Sequence, residues 1–183
     1  MTLVIPPRLR TVRQTNEFNC GEACLATVLS TSIEDVQELV GRDVSKPIPG
    51  MGDHPDLDIS HPHRDHAGLL PLEMVAALGR VGVMASLWAS RAAWDGTWIG
   101  DHWESLRLAD VEWLNDRLDR EGCAILAVDS LNHAESQHWV VWYEGMVLDP
   151  STKKRYPEDS NLSVYDAVII RKSDLPSCLD TII

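Results

Sequence analysis

The first half of the chain carries hydrophobic residues at helical spacing. The run 20–30 is rich in alanine, leucine and valine and predicts a first helix. Residues 32–41 predict a second helix, because Ser32 is a suitable N-cap and a glycine stands at the expected end. Apolar residues at the same spacing follow Pro71, which suits a first helical turn, and Asp110, which suits an N-cap. The pattern therefore predicts four helices.

Most of the predicted strands lie in the second half of the chain. Short runs of valine, isoleucine, leucine and aromatic residues are separated there by turn residues. Because helices come first and strands later, this order favours an α+β fold over an alternating parallel-sheet fold. The predicted strands are 83–88, 123–128, 138–143, 146–148 and 167–170.

Two stretches show no regular periodicity. Residues 45–66 are rich in proline and glycine and contain four histidines, which predicts a long surface loop inserted in the domain. Residues 94–103 are aromatic and contain glycine, which predicts a second loop. Long loops in compact domains are often functional, so both stretches bear on substrate binding.

Length and charge narrow the class of protein. A chain of 183 residues is expected to form one domain over 1–183. Its formal net charge of −12 disfavours binding to nucleic acid or to an anionic membrane surface. No apolar run approaches the ~20 residues that span a bilayer, and the N-terminus lacks the features of a signal peptide. We therefore expect a cytoplasmic protein with reduced cysteines. The oligomeric state stays open.

Cys20 stands at the predicted start of the first helix. The helix dipole and the free N–H groups there favour a negative charge, and the thiolate is the nucleophilic form of cysteine. Gly21 leaves space beside the sulfur, and the side-chain amide of Gln14 is the kind of donor that an oxyanion hole needs. Cys24 and Cys123 are interpreted as buried packing residues.

A histidine and an aspartate come together if residues 138–149 form a hairpin. Glu144-Gly145 predicts a two-residue turn, which pairs Tyr143 with Met146. His138 and Asp149 then share one face of the sheet, roughly 7 Å apart along a diagonal, which is within reach of a carboxylate. Such a carboxylate would fix the imidazole tautomer and stabilise the imidazolium.

Three motifs in this chain resemble those of one enzyme family. They are Gln-x5-Cys-Gly-x-Ala-Cys-Leu from Gln14, His-Trp-Val-Val from His138 and Asp-Pro from Asp149. In this order they resemble the papain-like cysteine peptidases, most closely those that remove double-glycine leaders from bacteriocin precursors, together with their stand-alone relatives. The similarity spans about residues 14–149. The membrane domain of the transporter-linked members and the two loops described above are points where the chain departs from the family.

The resemblance implies an α+β papain-like fold, with the nucleophile helix packed on an antiparallel sheet. It implies Cys20 as nucleophile, His138 as general base and then acid, Asp149 as the residue that orients the imidazole, and Gln14 as oxyanion donor. It implies a peptide or protein substrate and no cofactor. Gly21 and Trp139, which lie beside these residues in the sequence, are assigned to substrate binding.

Two other functions compete with a cysteine peptidase. The string His-x-His-x-Asp-His, formed by His61, His63, Asp65 and His66, resembles the metal-binding motif of the metallo-β-lactamase superfamily. Imidazoles and a carboxylate at this spacing suit a metal ion that activates water, so a metal-dependent hydrolase is one alternative. A papain-like module that binds a peptide or protein without catalysis is the other, because a fold does not guarantee chemistry.

Overall fold

The computed structural model describes residues 9–44, 46, 68–91, 108–109, 111–130, 137–152, 155–157 and 163–175. Within these ranges the helices are α1 (Cys20–Leu29), α2 (Ile33–Val40), α3 (Pro71–Arg80) and α4 (Val111–Glu121). The strands are β1 (Ala85–Ser90), β2 (Leu108–Ala109), β3 (Gly122–Asp129), β4 (Gln137–Tyr143), β5 (Met146–Leu148), β6 (Arg155–Pro157) and β7 (Val164–Arg171). A short 3₁₀ helix, Lys172–Asp174, follows β7.

The strands form one sheet in the order β2-β1-β7-β3-β4-β5-β6. Neighbouring strands pair antiparallel, except for β1 and β2, which pair parallel at one edge. The predicted α+β class is therefore confirmed. The strand predicted at 83–88 lies slightly later, at Ala85–Ser90. Strands β2 and β6 were not predicted from the sequence, because two or three residues at a sheet edge carry too little pattern.

The ends of α2 follow the predicted capping chemistry. The Ser32 hydroxyl accepts a hydrogen bond from the backbone N–H of Asp35 at 3.1 Å, and the Asp35 carboxylate accepts one from the N–H of Ser32 at 3.2 Å. This reciprocal pair satisfies N–H groups that the helix leaves unpaired. Gly41 ends the helix with a φ of 81°, a left-handed conformation that favours glycine.

Helices pack on both faces of the sheet. On one face, the helices α1, α2 and α3 share a hydrophobic core with Val141 and Tyr143 of β4. On the other face, Leu114 and Leu118 of α4 pack with Val140 and Trp142 of the same strand. Because side chains alternate along a strand, β4 contributes to both cores.

Cys24 and Cys123 are fully buried in the core, as predicted. No helix in the described part of the chain is long and apolar enough to cross a membrane. The predicted loop 94–103, and the predicted loop 45–66 apart from residue 46, lie outside the described residues.

Candidate active site

Cys20 is the first residue of α1, and its side chain is almost buried, at 9% exposed. The N-terminus of a helix presents free N–H groups and the positive end of the helix dipole. Cys20, the residue predicted as nucleophile, therefore lies at the N-terminus of a helix, as the sequence predicted.

Asn19 organises the loop that leads into Cys20. It is buried, and its side-chain Oδ1 accepts hydrogen bonds from the N–H groups of Thr15 at 3.1 Å and Asn16 at 3.2 Å. Its Nδ2 donates to the Thr15 hydroxyl at 2.8 Å. No role for Asn19 was predicted from the sequence. The sequence did offer one indication of its importance. An asparagine stands directly before a predicted helix, and asparagine is a preferred N-cap residue.

His138 and Asp149 meet across the β4–β5 hairpin. Tyr143 pairs with Met146, as predicted, and Glu144 and Gly145 both have positive φ, as a two-residue type I′ turn requires. The Nε2 of His138 lies 2.9 Å from Oδ1 of Asp149. The two side chains are only 12% and 3% exposed, so solvent screens their interaction weakly.

The two groups shift each other's pKa in opposite directions. Burial alone would lower the pKa of His138, but its hydrogen bonds to Asp149 and Cys20 outweigh burial and raise the pKa to about 9. Burial alone would raise the pKa of Asp149, but the hydrogen bonds from His138 and Ser151 lower it to about 2. With a pKa of about 9, His138 is an imidazolium at neutral pH, hydrogen-bonded to the Asp149 carboxylate and close to Cys20.

Gln14 lies beside the turn that carries Asp149. Its backbone N–H donates to the carbonyl of Pro150 at 3.1 Å. Its side-chain Nε2 donates to the carbonyl of Asn16 at 3.1 Å, and Oε1 is buried without a hydrogen-bond partner among the described residues. An amide nitrogen has two hydrogens, so one of them remains for another acceptor. The role of Gln14 as oxyanion donor stays a prediction.

Gly21 of α1 packs closely against α3, the residue Leu69 before it, and β4. A Cβ atom at this position would lie 2.8 Å from Met74 Cε, 2.9 Å from Leu69 Cβ and 3.3 Å from Trp139 Cδ1. The packing of the helices thus requires glycine here. The approach of Leu69 and Met74 to Gly21 was not predicted from the sequence, because no local pattern indicates it. The assignment of Gly21 and Trp139 to substrate binding stays a prediction.

The competing metal site falls on residues that the structure does not describe. His61, His63, Asp65 and His66 all lie outside the described ranges, so this site also stays a prediction. Among the residues that are described, no group of three or more histidine, cysteine, aspartate or glutamate side chains is arranged to hold a metal ion.

Comparison with known proteins identifies the fold. The chain is similar to the crystal structure of a double glycine motif protease from an AMS/PCAT transporter, in complex with the leader peptide. The TM-score is 0.50 at 17% sequence identity, and the match covers 91% of this chain and 96% of the other. No protein-family model and no curated protein matches the sequence. The chain has the papain-like cysteine peptidase fold, as its motifs implied.

Proposed function

We propose that this protein is a cysteine peptidase that acts through an acyl-enzyme on Cys20. The observation that carries the proposal is the position of His138, hydrogen-bonded to Asp149 at 2.9 Å and beside Cys20 at the start of α1. A nucleophile, a base and a residue that orients the base are the three parts that covalent catalysis by cysteine uses.

The proposed reaction follows from the charges of this site. The Cys20 thiolate attacks the carbonyl carbon of the scissile amide, and the His138 imidazolium gives its proton to the leaving amine. A water molecule, deprotonated by the neutral imidazole, then attacks the thioester and releases the acid and the thiolate. The Cys20 N–H and the Gln14 amide stabilise the oxyanion in both steps. This reaction requires no cofactor.

We propose that the substrate is a peptide or a segment of a protein. The leader peptide bound to the structurally similar protease supports this class of substrate. The net charge of −12 supports it in a second way, since it opposes binding to nucleic acid.

A peptide mixture of known composition tests the proposal. Wild-type protein is incubated with the mixture at pH 7, and new peptide termini are identified by mass spectrometry. We expect cleavage by the wild type, a covalent acyl adduct on Cys20 in intact-mass spectra, and neither in Cys20→Ala. Cleavage that persists in Cys20→Ala would refute the proposal, as would an adduct on another residue. Cys123→Ala is the matched control, because it removes a thiol from the core away from the site.

A further inference from the structure

The turn after β5 surrounds one oxygen of Asp149 with donors. Besides His138 Nε2, Oδ1 accepts the backbone N–H of Ser151 at 2.8 Å and the Ser151 hydroxyl at 2.7 Å. The other oxygen, Oδ2, has a longer contact of 3.4 Å with the hydroxyl of Thr152. Ser151 therefore gives two of the hydrogen bonds that hold the carboxylate oxygen facing the imidazole.

These contacts matter because the Asp149 side chain is only 3% exposed. A buried carboxylate loses most of its hydration, and each charge-assisted hydrogen bond offsets part of that cost. Turns in which an aspartate side chain accepts a hydrogen bond from the backbone N–H two residues later are common. The additional hydroxyl is specific to the side chain of Ser151, so it can be removed without changing the backbone.

We infer that Ser151 is a positioning residue that orients Asp149 towards His138 and keeps the carboxylate charge balanced. The inference rests on the proposed function. Ser151 acts through Asp149 and not on the reacting atoms. The same turn also contacts the loop that leads to Cys20, since the Pro150 carbonyl accepts from the N–H of Gln14. The turn thus links the orienting carboxylate to the nucleophile loop.

The pH dependence of Cys20 alkylation by iodoacetamide, measured by peptide mass spectrometry, tests the inference without a substrate. In Ser151→Ala the Asp149 carboxylate loses one hydrogen-bond donor, so more of its negative charge is uncompensated. That charge disfavours a second negative charge on the nearby sulfur of Cys20. We expect the acid limb of the profile to move to higher pH by up to about one pH unit, which is up to about tenfold in rate on that limb. Ser151→Thr restores a hydroxyl and should restore the profile.

Thr152→Ala is the matched control, because its hydroxyl contact is longer and the residue is exposed. We expect its profile to overlay that of the wild type. Circular dichroism verifies that each variant is folded, and Ser151→Gly replaces the alanine variant if that variant unfolds.

The possible outcomes separate the inference from the proposed function. A wild-type Cys20 that alkylates like an ordinary thiol contradicts the proposed function. A wild-type profile that shows the ion pair, with Ser151→Ala superimposable on it, overturns the inference alone. Failure of Ser151→Thr to restore a shifted profile also overturns it, because a hydroxyl at this position would then not be the cause.

Discussion

Two groups of polar side chains in this molecule each surround a buried carboxylate, Asp149 in one and Glu22 in the other, and they are built in different ways. The first, which we propose to be catalytic and call the catalytic corner, consists of Cys20, His138 and Asp149 together with the positioning residue Ser151. The helix cluster, between α1, α2 and α3, consists of Glu22, Gln37, Arg42 and Glu73. In the catalytic corner the buried carboxylate receives donors from a neighbouring strand and from its own turn. In the helix cluster, Arg42 binds Glu73 through Nε at 2.6 Å and Nη2 at 2.7 Å, across 31 residues of sequence.

The helix cluster also contains atoms that stay unsatisfied. Glu22 is fully buried, and its Oε1 and the Nη1 of Arg42 have no hydrogen-bond partner among the described residues. Arg42 Nη2 donates to the carbonyl of Gly68 at 2.5 Å, and Glu73 accepts the N–H of Leu70, so this cluster holds the start of α3 in place. We therefore expect changes in the catalytic corner to alter reactivity and changes in the helix cluster to alter stability.

The largest effect is expected for Asp149→Asn. Because the pKa of His138 is about 9, its imidazolium form is present below that pH and is lost above it. Without the Asp149 carboxylate, the pKa of His138 should fall towards 6.5, the value of a free histidine. We expect peptide cleavage at pH 7 to fall by about 100-fold or more. In an alkylation profile, the step that reports loss of the imidazolium should move down from near pH 9. Asp129→Asn, which changes an exposed contact with Tyr165, is the control. An unchanged profile in Asp149→Asn would contradict the account.

Arg42→Met should lower stability instead. It leaves the Glu73 carboxylate without its bidentate partner, and because both side chains are partly exposed we expect a loss of about 2 kcal/mol in the free energy of unfolding. Chemical denaturation measures this, and adding Glu73→Leu should recover part of the loss. Lys46→Met removes an exposed ion pair with Asp43 and should change stability by less than about 0.5 kcal/mol. A shift in the Cys20 alkylation profile of Arg42→Met would contradict the expectation that the helix cluster affects stability and not reactivity.

Gly21→Ala tests how tightly α1 packs beside Cys20. The added methyl group would approach Leu69 Cβ, which is fixed to the backbone, at 2.9 Å. We expect overpacking to cost about 1.5 kcal/mol. In Gly79→Ala the new Cβ has nothing within 4 Å, so this variant should gain up to about 1 kcal/mol from helix propensity. Equal stability changes in the two variants would show that the space at Gly21 is not limiting.

The smallest effect is expected for Glu22→Gln. Burial raises the pKa of Glu22, and the hydrogen bond from Gln37 only partly opposes this. The folded state therefore holds the proton more tightly than the unfolded state, so the carboxylate reduces stability as the pH rises above its ordinary range. Glu22→Gln should raise Tm slightly at pH 7 and not at pH 4. The control is Glu38→Gln, which changes an exposed glutamate of α2 and should leave Tm the same at pH 7 and at pH 4. A lower Tm at pH 7 would contradict this account of Glu22.

The two regions also differ in how much the sequence could predict. The approach of His138 to Asp149 depends on one hairpin, and Glu144-Gly145 fixes its register locally. The contacts of Arg42 with Gly68 and Glu73 depend on how separate helices pack, and no local pattern encodes that packing. The second donor from Ser151 was missed for another reason: a serine in a turn is common, and only the direction of its hydroxyl gives it a role.

The most direct test of the central claim is the alkylation profile of Cys20 in the wild type and in His138→Ala, followed by peptide mass spectrometry from pH 4 to pH 10. If His138 forms an ion pair with Cys20, the wild type should react rapidly well below the pH of about 8.5 at which a free thiol ionises, with a second step near pH 9. His138→Ala should show one step near that of a free thiol. Superimposable profiles in the two proteins would contradict the assignment of Cys20 and His138 as a catalytic pair.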